Sequence, residues 1–109
     1  MANETFDIVL AILQYLDESL DDEQINFSKI NPDSLGVSEP RLNRVLEMMI
    51  NSGYITGFHA VPQADKGYNT YHPINPRITL SGIYLLEHNR PTNKVYDLLK
   101  EIRDWIPGY

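Results

Sequence analysis

Residues 38–86 constrain the fold more than any other stretch, because backbone start and stop signals follow one another there in a fixed order. Ser38 suits an N-cap with Pro40 in the first turn behind it. Leu42, Val45, Leu46, Met49 and Ile50 then recur at i, i+3, i+4, i+7 and i+8, which is helical spacing. Gly53 ends that helix, since a residue without Cβ takes the left-handed cap at no steric cost. Tyr54 to Val61 reads as a strand, a polar excursion follows, and the chain returns extended through Ile74 to Leu80. Thr79 is placed to cap a fourth helix that Ile83, Leu85 and Leu86 bury and that stops near His88 and Asn89. A helix followed directly by such a ribbon is the second half of a winged helix-turn-helix. The predicted class is α+β, mostly helical: a winged helix-turn-helix with additional C-terminal helices.

The flanks fit that frame. A first helix is predicted from about Glu4 to Leu20, with Asn3 as N-cap and an apolar stripe of Phe6, Ile8, Val9, Ile12, Leu13, Leu16 and Leu20. Ile25-Asn26-Phe27 is expected as a short strand joining the later ribbon, and Asn31-Pro32-Asp33 as the turn into a single helical turn ending at Gly36. Pro62 to Pro76 is the wing. Asp65-Lys66-Gly67 suits a tight reversal with Gly67 at positive φ, and Pro73 and Pro76 restrict pairing, so the second strand is expected to begin near Arg77. Gly82, the third residue of its helix, costs about 1 kcal/mol of helix propensity against Ala, a loss that close backbone approach would offset. Pro91-Thr92 restarts the chain, and a last helix over about 92–106 carries Val95, Leu98, Leu99, Ile102, Trp105 and Ile106 on one face. At 109 residues the chain is one domain, residues 1–109, with its core over about 4–89.

Composition narrows the function classes. Without cysteine there is neither a disulfide framework nor a thiolate zinc site. The acidic N-terminal stretch is no signal peptide, and no apolar run approaches the roughly 20 residues of a membrane span, so a soluble cytoplasmic protein without membrane contact is expected. The net charge of −6 is unevenly spread: residues 1–23 hold seven acids and no Lys or Arg, whereas the remainder hold eight acids against nine bases. A local basic face can therefore exist on an acidic molecule.

The segments Gly53-Tyr54-Ile55, Ile78-Thr79-Leu80, Gly82-Ile83, Leu86-Glu87, Asn89 and the tail Leu99-Lys100-Glu101-Ile102-Arg103-Asp104-Trp105-Ile106-Pro107 together resemble the YjcQ family of small proteins from Gram-positive bacteria and their prophages. The order of the motifs and the Trp-Ile-Pro tail carry the resemblance across most of the chain. It implies a winged-helix fold and no defined activity.

On the third helix, burial of Leu42, Val45, Leu46 and Met49 turns Pro40, Arg41, Arg44, Glu47, Met48 and Asn51 outward. Recognition helices read base edges from their N-terminal half, and Arg forks suit guanine, which makes Arg41 and Arg44 the candidate base readers. Ser38 and the free N–H groups beside it could hold a phosphate, Asn43 lies toward the side and could assist, and Lys66 at the wing tip could reach the backbone or minor groove. Two arginines on a solvated face are also ordinary, and Glu47 could pair with Arg44. Tyr68, Tyr71 and His72 could stack on bases or cover the sheet.

An enzyme is not expected. His59, His72 and His88 lack a close ligand spacing, Asp65 could at most pair with His72 across the wing, and no nucleophile elbow or phosphate loop occurs. The expected partner is double-stranded DNA, bound without a cofactor in transcriptional control. A homodimer through the C-terminal helix is the matching assembly, with a monomer burying the same stripe as the alternative. The rival is a protein-interaction module that uses the same scaffold without DNA.

Overall fold

The computed structural model describes residues 5–89. Helix α1 (Thr5–Glu18) is followed by a 3-10 turn (Ser19–Asp21), a second 3-10 turn (Phe27–Lys29), α2 (Pro32–Leu35), α3 (Glu39–Asn51), the strands β1 (Ile55–Val61) and β2 (Thr70–Ile78), and α4 (Leu80–His88). The two strands form one antiparallel sheet. Among the described residues this is an α+β chain with four helices and a two-stranded ribbon, an order compatible with a winged-helix-like fold. Asn3 and the helix expected over 92–106 lie outside the described residues.

Local chemistry sets most boundaries. Asn31 and Ser34 form a reciprocal capping box on α2, with Pro32 at its first position. Gly36 closes α2, where its own N–H reaches the Asp33 carbonyl and the Val37 N–H reaches Pro32. Ser38 Oγ accepts from the Arg41 N–H at 3.2 Å and starts α3. Gly53, at φ 79°, ends α3: its N–H bonds to Ile50 and that of Tyr54 to Met49, the paired bonds of a Schellman motif. Thr79 Oγ1 accepts from the Gly82 N–H at 3.1 Å and starts α4.

The core wraps around α1. Every residue from Leu10 to Leu16 is buried, so in place of a one-sided stripe the middle of the helix is enclosed on all its faces, with α3, β2 and α4 packed against α1. Gln14 is buried with them and donates to Glu18. The helix is shorter than expected, and Leu20, placed by the sequence on the apolar stripe, sits in the 3-10 turn with half its surface exposed. Leu42, Val45, Leu46, Met49, Ile55, Ile78 and Leu86 complete the core.

Three expectations are corrected. Ile25-Asn26-Phe27 is not a strand: Phe27 opens a 3-10 turn, capped by Asn26, and its ring meets Phe58 edge-on at 5.0 Å. The Tyr15 hydroxyl donates to the Asn26 carbonyl at 2.7 Å, tying this segment to α1 instead of to the sheet. Gly67 does not take positive φ; the reversal closes earlier, with the Lys66 N–H on the Gln63 carbonyl. The second strand begins at Thr70, not near Arg77. Pairing runs Val61↔Thr70 to Phe58↔Pro73, residues 74–76 bulge opposite Gly57, and pairing resumes at Thr56↔Arg77. Both strands of a two-stranded ribbon are edges, so Pro73 and Pro76 fit at a bulge without breaking the ladder. Gly57 makes the bulge possible: at φ 91° it faces the Asn75 carbonyl, and a Cβ there would stand 1.7 Å from that oxygen.

Candidate functional site

The outer face of α3 meets the tip of the ribbon. Arg44 is exposed, and its Nη2 donates to the Gly67 carbonyl at 3.2 Å. Its guanidinium carbon lies 5.6 Å from the centre of the Tyr68 ring. Lys66 Nζ approaches the same ring at 5.6 Å. Arg44 of α3 and Lys66 of the reversal thus both approach one half-buried aromatic ring, whose quadrupole attracts positive charge. Lys66 also pairs with Glu39 at 3.8 Å, an exposed contact of small energetic weight. Arg44 is turned to the ribbon and not to Glu47.

Arg41 leaves in another direction. Its Nη1 donates to Thr5 Oγ1 at 2.8 Å, so this exposed arginine ties the first turn of α3 to the start of α1. Ser38 is exposed and already accepts from the helix backbone, leaving its hydroxyl proton to donate. Asn43 is buried, not lateral: Nδ2 donates to the Glu39 carbonyl at 3.0 Å and Oδ1 accepts from the Tyr71 N–H at 3.0 Å. Both ends of its amide are used inside the protein, which removes it from any contact surface. Of the five residues singled out, Arg44 and Lys66 come together, Ser38 caps the same helix, Arg41 diverges and Asn43 is structural.

The remaining polar candidates separate too. Tyr71 packs against the core, while Tyr68 sits between Arg44 and Lys66. His72 pairs not with Asp65 but approaches Thr70 Oγ1 at 3.3 Å through Nε2. Arg77, at the base of the ribbon, lines an open cleft of about 660 Å³ with Asp22 and Glu23. No group of three or more His, Cys, Asp or Glu side chains able to hold a metal occurs among the described residues. None of their helices is long and apolar enough to cross a membrane.

A second surface was missed by pattern reading. Thr5, Phe6, Val9, Met48, Met49, Tyr54 and Leu85 line an apolar groove of about 360 Å³ between α1, α3 and α4. Phe6 and Met48 are 46% and 51% exposed, unusually open for large apolar side chains. Outward placement of Met48 on α3 was the available signal; the α1 side of the groove depends on packing that no local pattern encodes.

Comparison with known proteins gives a consistent relative. The family described as YjcQ protein matches residues 10–105. The "Uncharacterized protein YjcQ" of Bacillus subtilis (strain 168) is 30% identical over 77 residues, covering 71% of this chain and 78% of that protein. No solved structure matches the chain.

Proposed function

We propose that this chain, which belongs to the YjcQ family, is a small winged-helix protein that binds double-stranded DNA, as a transcriptional regulator or prophage accessory protein. In this reading α3 lies in a major groove and the β1–β2 ribbon is the wing. Arg44 reads or clamps from the helix, Lys66 meets the backbone or minor groove, and Ser38 donates to a phosphate at the start of α3. Arg41 joins them by releasing Thr5. A homodimer through residues 92–106, outside the described residues, would match a two-fold operator.

The observation that carries the reading is the convergence of Arg44 and Lys66 on Tyr68. It joins the helix and the ribbon tip into one exposed cationic surface with an aromatic platform, although the whole chain is acidic. Fluorescence anisotropy of a mixed-sequence duplex at about 50 mM and about 200 mM salt tests it. The expected result is binding that weakens steeply with salt and is lost in Arg44→Ala/Lys66→Ala. Absence of binding at the lower salt, up to high micromolar protein, would overturn it.

The apolar groove supports a second reading, a protein-interaction module on the same scaffold. Its exposed Phe6 and Met48 suit an apolar partner surface better than a phosphate backbone. That reading takes over if duplex DNA is not bound.

A further inference from the structure

The ribbon register sets His59 directly opposite His72, and both are exposed. Directly opposed residues of an antiparallel pair project from the same face, with Cβ atoms about 4.5–5.5 Å apart. The face is the outer one, because Phe58 and Tyr71, each one residue earlier, pack toward the core. The adjoining pair on that face is Val61 opposite Thr70, and beyond His72 the next outward position is Ile74 at the bulge. No charged side chain of the ladder therefore stands beside the two imidazoles. Thr70 Oγ1, 3.3 Å from His72 Nε2, steadies one ring through a long contact that a stronger ligand bond can replace.

We propose that His59 and His72 form a two-histidine chelate for a divalent late first-row transition-metal ion. Imidazole nitrogen is a preferred donor for Cu²⁺, Ni²⁺ and Zn²⁺, and for a given donor set Cu²⁺ binds tightest of the three. Two rings held across a ladder bind the ion as one unit, because the second nitrogen is already in place once the first has bound. With no third His, Cys, Asp or Glu in reach among the described residues, water or an external ligand fills the other coordination positions. The site is thus an open one, unlike the closed four-ligand structural zinc sites. Its ion links β1 to β2 between the bulge at Gly57 and the reversal at residues 63–66, and so stiffens the ribbon. The inference rests on the register and exposure of the two histidines and stands whether or not the chain binds DNA.

The test is calorimetric titration of the untagged full-length chain with Cu²⁺ and then Zn²⁺, alongside His59→Ala, His72→Ala and His88→Ala variants. One ion per chain is expected, with affinity about 100-fold lower in either ribbon variant, since each loses the intramolecular second ligand. His88, which lies on α4 against Tyr84, should be replaceable without effect. On the wild-type chain, one equivalent of Zn²⁺ should shift the imidazole NMR signals of His59 and His72 together and leave those of His88 unmoved. Affinity unchanged by both ribbon substitutions, or ring signals of His59 and His72 that do not respond to Zn²⁺, would overturn the proposal.

Discussion

At position 43 one amide side chain spans two elements. Its Nδ2 is held by the Glu39 carbonyl one turn back on α3, and its Oδ1 takes the Tyr71 N–H of β2, all in a buried setting. Removing it leaves the partly buried Tyr71 N–H, which faces away from β1, without its side-chain acceptor, so Asn43→Ala should lower stability by about 1–3 kcal/mol. In a domain of this size that is a fall in melting temperature of roughly 4–8 °C per kcal/mol, readable by circular dichroism. Amide exchange at Tyr71 should speed up in the same variant. Gly57 is the other residue on which the ribbon depends. Alanine there would set a Cβ against the Asn75 carbonyl carbon and oxygen at a φ that L residues avoid. Gly57→Ala should therefore cost about 2 kcal/mol or more, and chemical denaturation would show it. Gly82 is glycine for a different reason, namely close packing: a Cβ there would stand 2.3 Å from the Tyr54 carbonyl. Sequence reading anticipates Gly82, because a glycine inside a helix demands a reason in its own element. It misplaces Asn43, because helical periodicity fixes an azimuth and cannot show that a strand later covers it.

Among the elements, those with local causes are legible and those with distant causes are not. Ser38, Gly36, Gly53 and Thr79 act within a turn of where they stand, and each starts or stops a helix as their chemistry requires. The register of the ribbon is set by residues nine to twenty-three positions apart and by a bulge of three residues against one. Hence Pro73 and Pro76 read as strand breakers although Pro73 borders the bulge within β2 and Pro76 lies in it. The apolar run at Ile25–Phe27 likewise reads as a strand, while Tyr15 and Phe58 draw it into a turn. Half of the candidate site follows the same division. Arg41 and Arg44 face outward as helical spacing implies, but whether they converge depends on the ribbon, which takes Arg44 alone. The elements therefore carry unequal shares of any contact with DNA. Arg44→Ala and Lys66→Ala should each weaken binding to all duplex sequences and reduce the magnitude of the salt slope by about one, as for a lost phosphate contact. If Arg44 reads a base instead, its loss should also relax sequence preference, by about 1–3 kcal/mol at one position. Salt-dependent anisotropy on two unrelated duplexes separates these outcomes.

For the molecule as a whole, the question is how a chain of net charge −6 could approach a polyanion. Seven of its acids fall before residue 24, and of these the exposed Glu23 shares a cleft with Arg77 at the base of the ribbon, with the exposed Asp21 two residues before it in the chain. Arg44, Lys66 and Tyr68 gather at the other end of the same ribbon. β1 rises about 3.3 Å per residue from Thr56, opposite Arg77, to Val61, opposite Thr70, about 17 Å, and with the reversal beyond it these two acids stand roughly 20 Å from the cations. Unscreened in water, two unit charges at that distance interact by about 0.2 kcal/mol. Summed over two acids and several phosphates, the repulsion is near 1 kcal/mol. The Debye length is about 14 Å at 50 mM salt and about 7 Å at 200 mM, so at roughly 20 Å about a quarter of this term survives at the lower salt and about a twentieth at the higher. Asp21→Asn/Glu23→Gln should therefore raise duplex affinity only about 1.5-fold at 50 mM and leave it unchanged at 200 mM, by the same anisotropy measurement. A gain of equal size at both salts would mean that these acids touch the DNA directly. The binding surface would then be the base of the ribbon with Arg77, and the tip that carries Arg44 and Lys66 would be a stabilising contact between α3 and the ribbon.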